Sequence, residues 1–233
     1  MCIICIKHKG VNFPSVERVQ AMCDNNDDGF SIVISDGVNK PTINKTLNKE
    51  RFLTIYKKVL RDYDPETTTM FIHARIKTHG TQRIENCHGW KERGVIFAHN
   101  GILSVKNRND MTDSETYFRD IFSPAYAVGG WDMAERTIDA VIGTSKFVFM
   151  EDNGDIKHYG NYIKDDNGLL YSNTSYYTRP KYESRYYGGG YGYGSYGYGQ
   201  GYGKKETPAS ASKSTTSKSY YEKWWEDEDI WDK

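Results

Sequence analysis

The sequence lacks a hydrophobic run long enough to cross a membrane. Its longest apolar run covers residues 2–6, whereas a transmembrane helix needs about 20 residues. The basic residues 7–9 follow this run, and no site resembling a signal-peptide cleavage site comes after them. These absences predict a cytoplasmic protein with no membrane partner.

An excess of charge of either sign is also missing. Among its 233 residues, the chain has 31 basic residues (lysine and arginine) and 31 acidic residues (aspartate and glutamate). No overall field therefore draws the protein toward nucleic acid or acidic membranes. Partners have to be predicted from local features.

Cysteines are few, and their context argues against disulfides. Four cysteines without a secretion signal are expected to be reduced. Cys2 and Cys5 have the spacing of a redox or zinc motif, but the residues between them are apolar and predict a strand. Residues three apart on a strand face opposite sides of the sheet. We therefore predict neither a metal site nor a cofactor there.

Composition divides the chain into a domain and a tail. Residues 1–175 have ordinary globular composition, whereas residues 176–233 do not. Within this tail, residues 186–203 are mostly tyrosine and glycine, 204–219 are rich in lysine, serine and threonine, and 220–233 are acidic and aromatic. The first two stretches cannot bury a core, which predicts a disordered tail. The last stretch is a candidate docking segment for a partner.

The apolar pattern of residues 1–175 changes period repeatedly, as is typical of an α+β domain. Helical spacing begins after a candidate cap at Asn48 and recurs at 113–122 and at 131–142, where Gly143 is the expected stop. Seven strands are predicted, enough for two sheets: 2–7, 30–35, 70–76, 95–99, 146–150, 156–159 and 169–172.

Cys2 is the first candidate for chemistry. A small residue at position 2 permits removal of Met1, which leaves a thiol and a free α-amine on one residue. The amine has an unperturbed pKa near 8 and can take the thiol proton, as in enzymes with an N-terminal threonine nucleophile. The alternative is that Cys2 is a small apolar residue at the start of a buried strand.

A second candidate lies where the strand after Met70 ends in cationic and hydroxyl groups. Arg75 is suited to gripping a carboxylate with two parallel hydrogen bonds, and Thr78 and His79 follow at the next turn. The alternative is a solvated arginine beside a structural histidine.

The third candidate is Asn100-Gly101, which stands between two apolar stretches. Glycine permits close approach of the backbone, so the Gly101 N–H and the Asn100 amide are candidate donors to a developing oxyanion. A two-residue hairpin turn is the alternative.

Together these segments resemble the class II glutamine amidotransferases over residues 2–175. The family's motifs read here as an N-terminal cysteine, Arg-x-x-Thr-x-Gly, Asn-x-His, His-Asn-Gly and Asp-Ser-Glu. They lie at Cys2 and at residues 75–80, 86–88, 99–101 and 113–115. The resemblance implies an N-terminal-nucleophile (Ntn) hydrolase fold, which is a four-layer αββα sandwich of two mainly antiparallel sheets. It implies no metal and no cofactor.

The resemblance also implies a role for each matching residue. Cys2 would attack the side-chain amide of glutamine, with Asn100 and Gly101 as the oxyanion hole. Arg75, Thr78 and His79 would hold the α-carboxylate.

Asp113 would pair with the α-ammonium; its alternative is the N-cap of a helix. His88 is left outside catalysis as a packing or surface histidine.

The tail is too short to be a synthase domain that uses the ammonia, so the acceptor is expected elsewhere. The favoured hypothesis is a separate synthase partner, with the tail as its docking segment. The alternatives are a divergent amidohydrolase with another substrate and a silent binding module. Nucleic acid is disfavoured because residues 186–203 contain no lysine or arginine to follow a phosphate backbone.

Overall fold

The structure is a computed structural model that describes residues 1–77, 82–108 and 111–177. The described residues belong to one unit of the chain. The tail from residue 178 onward, with the docking segment predicted in it, lies outside the described residues. So do Thr78 and His79, two of the expected substrate-binding residues.

Ten strands are present in the described ranges, and they form two antiparallel sheets. The first sheet has the order β3-β2-β4-β1-β10-β9, and the second has the order β5-β6-β7-β8. The strands are β1 (Ile3–Lys7), β2 (Phe30–Ser35), β3 (Thr42–Thr46), β4 (Thr69–Ala74), β5 (Trp90–Glu92), β6 (Val95–Asn100), β7 (Lys146–Glu151), β8 (Ile156–Tyr159), β9 (Ile163–Lys164) and β10 (Leu170–Tyr171).

All seven predicted strands are confirmed within one or two residues at each end. The sequence did not predict β3, β5 and β9. Strand β3 has the sequence Thr-Ile-Asn-Lys-Thr, which contains one apolar residue, while β5 and β9 are only three and two residues long. Strands β3 and β5 pair with the longer strands β2 and β6, and β9 pairs with β10. This pairing stabilises strands whose own apolar pattern is weak.

Helix α2 (Lys49–Asp62) begins as predicted. The Asn48 side chain accepts a hydrogen bond from the Arg51 N–H and so satisfies one of the free donors at the helix start. Helix α1 (Val16–Asn25) was not predicted, although Ser15 caps it in the same way.

The helix predicted at 113–122 is confirmed, but its form is mixed. It consists of α3 (Asp113–Tyr117) followed by a π-helical turn (Phe118–Phe122). Helix α4 (Ser123–Val141) begins earlier than predicted. It is kinked at Gly129 and Gly130, whose backbone angles are not helical, and the predicted start at 131 marks the segment after this kink.

Three clusters of buried apolar side chains define four layers. One cluster packs α1 and α2 against the first sheet, and another packs α3, the π-helical turn and α4 against the second sheet. The third joins the inward faces of the two sheets. The expected fold, a four-layer αββα sandwich of two antiparallel sheets, is therefore confirmed.

Candidate active site

A cavity of about 490 Å³ opens at the end of the sandwich where β1 starts and where β4 and β6 finish. Four of the expected site residues contribute to its wall: Cys2, Arg75, Gly101 and Asp113. These residues come from separate parts of the chain. The fold therefore brings together a thiol, a guanidinium, a glycine backbone and a carboxylate.

Strand pairing explains why Cys2 and Arg75 meet. In the antiparallel register of β1 and β4, Ile3 is opposite Ala74. Continuing this register by one position places Cys2 opposite Arg75. Cys2 lies on the same inward side as Ile4 and Ile6, since side chains alternate along a strand.

The Cys2 thiol is half-buried and lies 3.7 Å from the Ile76 carbonyl oxygen, to which it donates a hydrogen bond. Burial raises the pKa of this thiol above its usual value, and the Arg75 guanidinium opposes the shift. Cys5 faces the other side of the sheet, in the core under α1. All four cysteines are free thiols.

Arg75 is only 4% exposed, so the alternative of a solvated arginine is wrong. Its backbone is fixed by two hydrogen bonds to the neighbouring loop: its N–H donates to the Gly29 carbonyl at 2.8 Å, and its carbonyl accepts from the Asp28 N–H at 2.9 Å. A buried guanidinium beside a cavity is suited to binding a carboxylate, because its fork of donors matches two carboxylate oxygens.

Gly101 cannot be replaced by a larger residue without displacing its neighbours. It has a φ angle of +151°, and a Cβ atom there would lie 2.2 Å from Ser145 Oγ and 2.9 Å from His99 Nε2. The hairpin alternative for Asn100-Gly101 is wrong, because β6 ends at Asn100 and pairs with β7, which begins far along the chain at Lys146.

Asn100 is 2% exposed and is not among the residues that form the cavity wall in the described part of the chain. Its Nδ2 atom lies 2.8 Å from Ser172 Oγ. Its Oδ1 atom is buried and has no hydrogen-bond partner among the described residues. The amide therefore reaches across to the first sheet and leaves one polar atom unsatisfied.

Asp113 is the first residue of α3, but it is not the N-cap. Thr112 takes that role by accepting from the Glu115 N–H. The Asp113 carboxylate accepts from two backbone N–H groups at 2.8 Å, that of Leu103 through Oδ2 and that of Ser114 through Oδ1. These bonds fix the carboxylate at the cavity wall.

A group of buried histidines next to the cavity was not predicted as part of the site. His73 and His88 stack with their ring centres 3.9 Å apart, and His88 Nδ1 accepts from the His99 N–H. His99 Nδ1 lies 2.7 Å from Ser114 Oγ. Burial lowers the pKa of His73 to about 3 and that of His99 to about 4, and it lowers the pKa of His88 well below the usual range. All three are therefore neutral near pH 7.

The residues after β10 hold the N-terminal strand in register, and their role also was not predicted. The Asn173 side chain donates to the Cys2 carbonyl at 2.6 Å. Ser172 Oγ accepts from the Ile4 N–H at 2.8 Å, and the Ser172 N–H donates to the Ile4 carbonyl at 3.0 Å. In the sequence, their position just after the last strand was the signal for this role. Sequence spacing does not show which strand they form hydrogen bonds with.

A sequence model of the family described as "Glutamine amidotransferases class-II" matches residues 1–136, more than half of the chain. The chain belongs to this family. Membership supports glutamine amidotransfer at the level of the family. No curated protein matches the sequence.

Three solved structures are similar to this chain, each at 15% sequence identity. Glutamine phosphoribosylpyrophosphate amidotransferase from B. subtilis, solved with ADP and GMP, has a TM-score of 0.47 over 74% of this chain and 42% of its own. A class-II domain protein from Silicibacter pomeroyi has a TM-score of 0.43, covering 73% and 87%. An allosteric regulatory enzyme of purine biosynthesis has a TM-score of 0.45, covering 73% and 41%. The chain thus spans less than half the length of the first and third of these.

Two features are absent from the described residues. In the ranges 1–77, 82–108 and 111–177, no three histidine, cysteine or acidic side chains are grouped so that they could hold a metal ion. No helix in those ranges is long and apolar enough to span a membrane.

Proposed function

We propose that this protein hydrolyses the side-chain amide of glutamine through a thioester on Cys2 and delivers the ammonia to an acceptor enzyme. The observation that carries the proposal is the shared cavity, whose wall includes Cys2, Arg75, Gly101 and Asp113. A nucleophile, a carboxylate-binding cation, a close backbone approach and a carboxylate for an ammonium group are the parts that this reaction needs.

The proposed mechanism begins with removal of Met1, which is 69% exposed. The α-amine of Cys2 is then free to act as the base. A base is needed because burial raises the pKa of the thiol, which holds it in the protonated form near pH 7. A neutral amine with a pKa near 8 is suited to accept that proton.

The thiolate then attacks the amide carbon, and a tetrahedral intermediate forms with its negative charge on oxygen. The protonated amine returns its proton to the leaving nitrogen, and ammonia departs as the carbon–nitrogen bond breaks. Water next attacks the γ-glutamyl thioester, which releases glutamate and restores the Cys2 thiol. No oxidation or reduction takes place.

Substrate selection in this proposal depends on opposite charges at the two ends of the cavity. Arg75 binds the α-carboxylate, with Thr78 and His79 completing that end. Asp113 binds the α-ammonium. A buried charge is stabilised by a partner of opposite sign, so a zwitterionic α-amino acid satisfies both ends at once.

Asn100 and Gly101 supply the oxyanion hole in this proposal. The Gly101 backbone lies at the cavity wall, and Asn100, which precedes it in the chain and ends β6, is buried. Loss of one such donor typically lowers kcat by about 100-fold to 1000-fold. Because both donors stand on a strand end, their positions are fixed before substrate binds.

The acceptor of the ammonia is proposed to be a separate synthase in the cytoplasm. The proposed catalytic domain is residues 1–175, and residues 176–233 are proposed as a disordered tail whose acidic, aromatic end docks on that partner. A chain that ends at residue 203 tests the tail. It should keep glutaminase activity and lose stimulation by the acceptor enzyme.

The decisive experiment compares glutamate release from glutamine by the wild type, Cys2→Ala and Cys23→Ala, with intact masses to establish whether Met1 is removed. Cys23 is a buried thiol in α1 and serves as the matched control. We expect loss of Met1, loss of activity in Cys2→Ala and retained activity in Cys23→Ala. Equal release by the wild type and Cys2→Ala would exclude the mechanism, and release from other amides but not from glutamine would favour the amidohydrolase alternative.

A further inference from the structure

The contact between Asn100 and Ser172 is a buried polar link between the two sheets. Asn100 ends β6 in the second sheet, and Ser172 follows β10 in the first. They are 2% and 3% exposed. Their side chains lie 2.8 Å apart, measured from Asn100 Nδ2 to Ser172 Oγ.

With the Asn100 amide in this orientation, the Ser172 hydroxyl proton and Asn100 Oδ1 both lack a hydrogen-bond partner among the described residues. Ser172 Oγ accepts from the Ile4 N–H at 2.8 Å. If it also accepts from Asn100 Nδ2, the hydroxyl proton has no acceptor among the described residues, and Asn100 Oδ1 has no donor there. A hydroxyl has one proton to donate, and burying it without a partner is unfavourable.

Rotating the Asn100 amide by half a turn pairs both groups. The two orientations of an amide have nearly the same shape, so the hydrogen-bond network decides between them. In the rotated form the Ser172 hydroxyl donates to Oδ1 while still accepting from Ile4. The Nδ2 group then takes the buried position where Oδ1 now stands.

We propose that Ser172 is a positioning residue, which holds Asn100 Oδ1 so that Asn100 Nδ2 is free to donate to the substrate oxyanion. The inference deepens the proposed function and rests on it. The opposite orientation would aim a carbonyl oxygen at a developing negative charge and destabilise the transition state. With Ser172 in place, the amide donor is oriented before substrate binds.

The amide orientation can be measured without any activity. Asn100 Nδ2 and the Ile4 nitrogen both lie 2.8 Å from Ser172 Oγ in the first orientation, which would give a strong proton NOE between the Asn100 side-chain amide and the Ile4 N–H. Our proposal expects no such NOE in the wild type. Its presence would overturn the inference, whether or not the protein is a glutaminase.

Kinetics test whether Ser172 acts through Asn100. We expect Ser172→Ala to lower kcat by about 10-fold to 100-fold with little change in KM, because the donor is disordered but not removed. Ser172→Thr, which keeps the hydroxyl, should restore most of the activity. In an Asn100→Ala background, Ser172→Ala should have no further effect on kcat.

If Ser172 only stabilised the fold, its variants would give different kinetic results. Ser172→Ala loses the bond to the Ile4 N–H in both backgrounds and the bond to Asn100 only in the wild type, so the melting temperature should fall in both and fall further in the wild-type background. Ser35→Ala is the matched control, since Ser35 is a buried serine of the same sheet that accepts from the Gly37 N–H, and it should leave kcat unchanged. If Ser172→Ala slows the Asn100→Ala enzyme as much as it slows the wild type, the positioning role is excluded.

Discussion

The space between the two sheets has an apolar half and a polar half, and the same strands build both. Along β4 the inward side chains change from Phe71 to His73 and Arg75. Along β6 they change from Ile96 and Ala98 to Asn100. The apolar half consists of Ile4, Ile6, Val33, Phe71, Ile96, Ala98, Val148 and Met150.

This comparison separates what stabilises the domain from what equips the site. The apolar half removes its side chains from water, which favours folding. The polar half buries Arg75, Asn100 and the stacked His73 and His88, and burying such groups is unfavourable unless they are paired. A site that buries polar and charged groups is therefore supported by the stability of the other half.

The largest effect is expected in the apolar half. Phe71→Ala should lower the free energy of unfolding by about 3 to 5 kcal/mol, because it removes a fully buried ring and leaves a void. Urea unfolding measures this loss. The kcat of the folded fraction should stay at the wild-type value. A large drop in kcat with unchanged stability would show that the two halves are not separate.

Acid should weaken the group of buried histidines beside the cavity next. The pKa of folded His73 is about 3 and that of His99 about 4, both below the value of 6.5 for an exposed histidine. Between these values the unfolded chain binds more protons, so stability is complete above about pH 6.5 and falls as the pH is lowered. From about pH 7.5 to about pH 5, each histidine should contribute a loss of about 2 kcal/mol.

Urea unfolding at the two pH values measures this loss of stability. The variant His73→Phe separates the contribution of His73 from that of His99. The phenylalanine ring can still stack on His88 but cannot take a proton. We expect the variant to lose less stability on acidification than the wild type does. An equal loss in both proteins would contradict the assignment of His73 as a neutral buried group.

A smaller effect is expected from Arg75→Lys, which keeps the charge and loses the fork of donors. We expect kcat/KM for glutamine to fall by about 10-fold to 100-fold, mainly through KM, because two parallel hydrogen bonds are replaced by a point charge. Steady-state glutamate release measures it. Arg61→Lys, at an exposed site in α2, is the control and should change neither parameter. An unchanged KM in Arg75→Lys would remove Arg75 from substrate binding.

The smallest effect is expected from Asp113→Asn, which keeps the shape of the side chain and one of the two accepting oxygens but loses the charge. The KM for glutamine should rise by about tenfold, equivalent to about 1.4 kcal/mol. An analogue of glutamine without the α-amine provides the comparison. The wild type should prefer glutamine to the analogue, and Asp113→Asn should not. If both enzymes discriminate equally, Asp113 does not bind the ammonium.

Local patterns in the sequence were sufficient for the long elements and the cap. The apolar strands and the Asn48 cap could be predicted because each is set by neighbours in the chain, whereas the motif residues that share the cavity were predicted through the family resemblance. Strand β3 could not be predicted, because only one of its five residues is apolar and pairing with β2 determines it. Helix α1 was also missed, although the Ser15 cap and the apolar residues Val16, Val19, Met22 and Cys23 were a local signal for it.

The rest of the site depends on which strands become neighbours. Asn173 meets Cys2, and Ser172 meets Ile4 and Asn100, only because β10 pairs with β1 and the two sheets face each other. The histidine group likewise joins β4 and β6 across the sandwich. Spacing along a single sequence contains no record of these contacts.

The most direct measurement traps the covalent intermediate. The protein is mixed with glutamine, quenched in acid and digested, and its N-terminal peptide is analysed by mass spectrometry. We predict a peptide that begins at Cys2 and carries a γ-glutamyl group on the thiol. A peptide that still begins at Met1 while the protein releases glutamate, or a γ-glutamyl group on a different cysteine, would contradict the account.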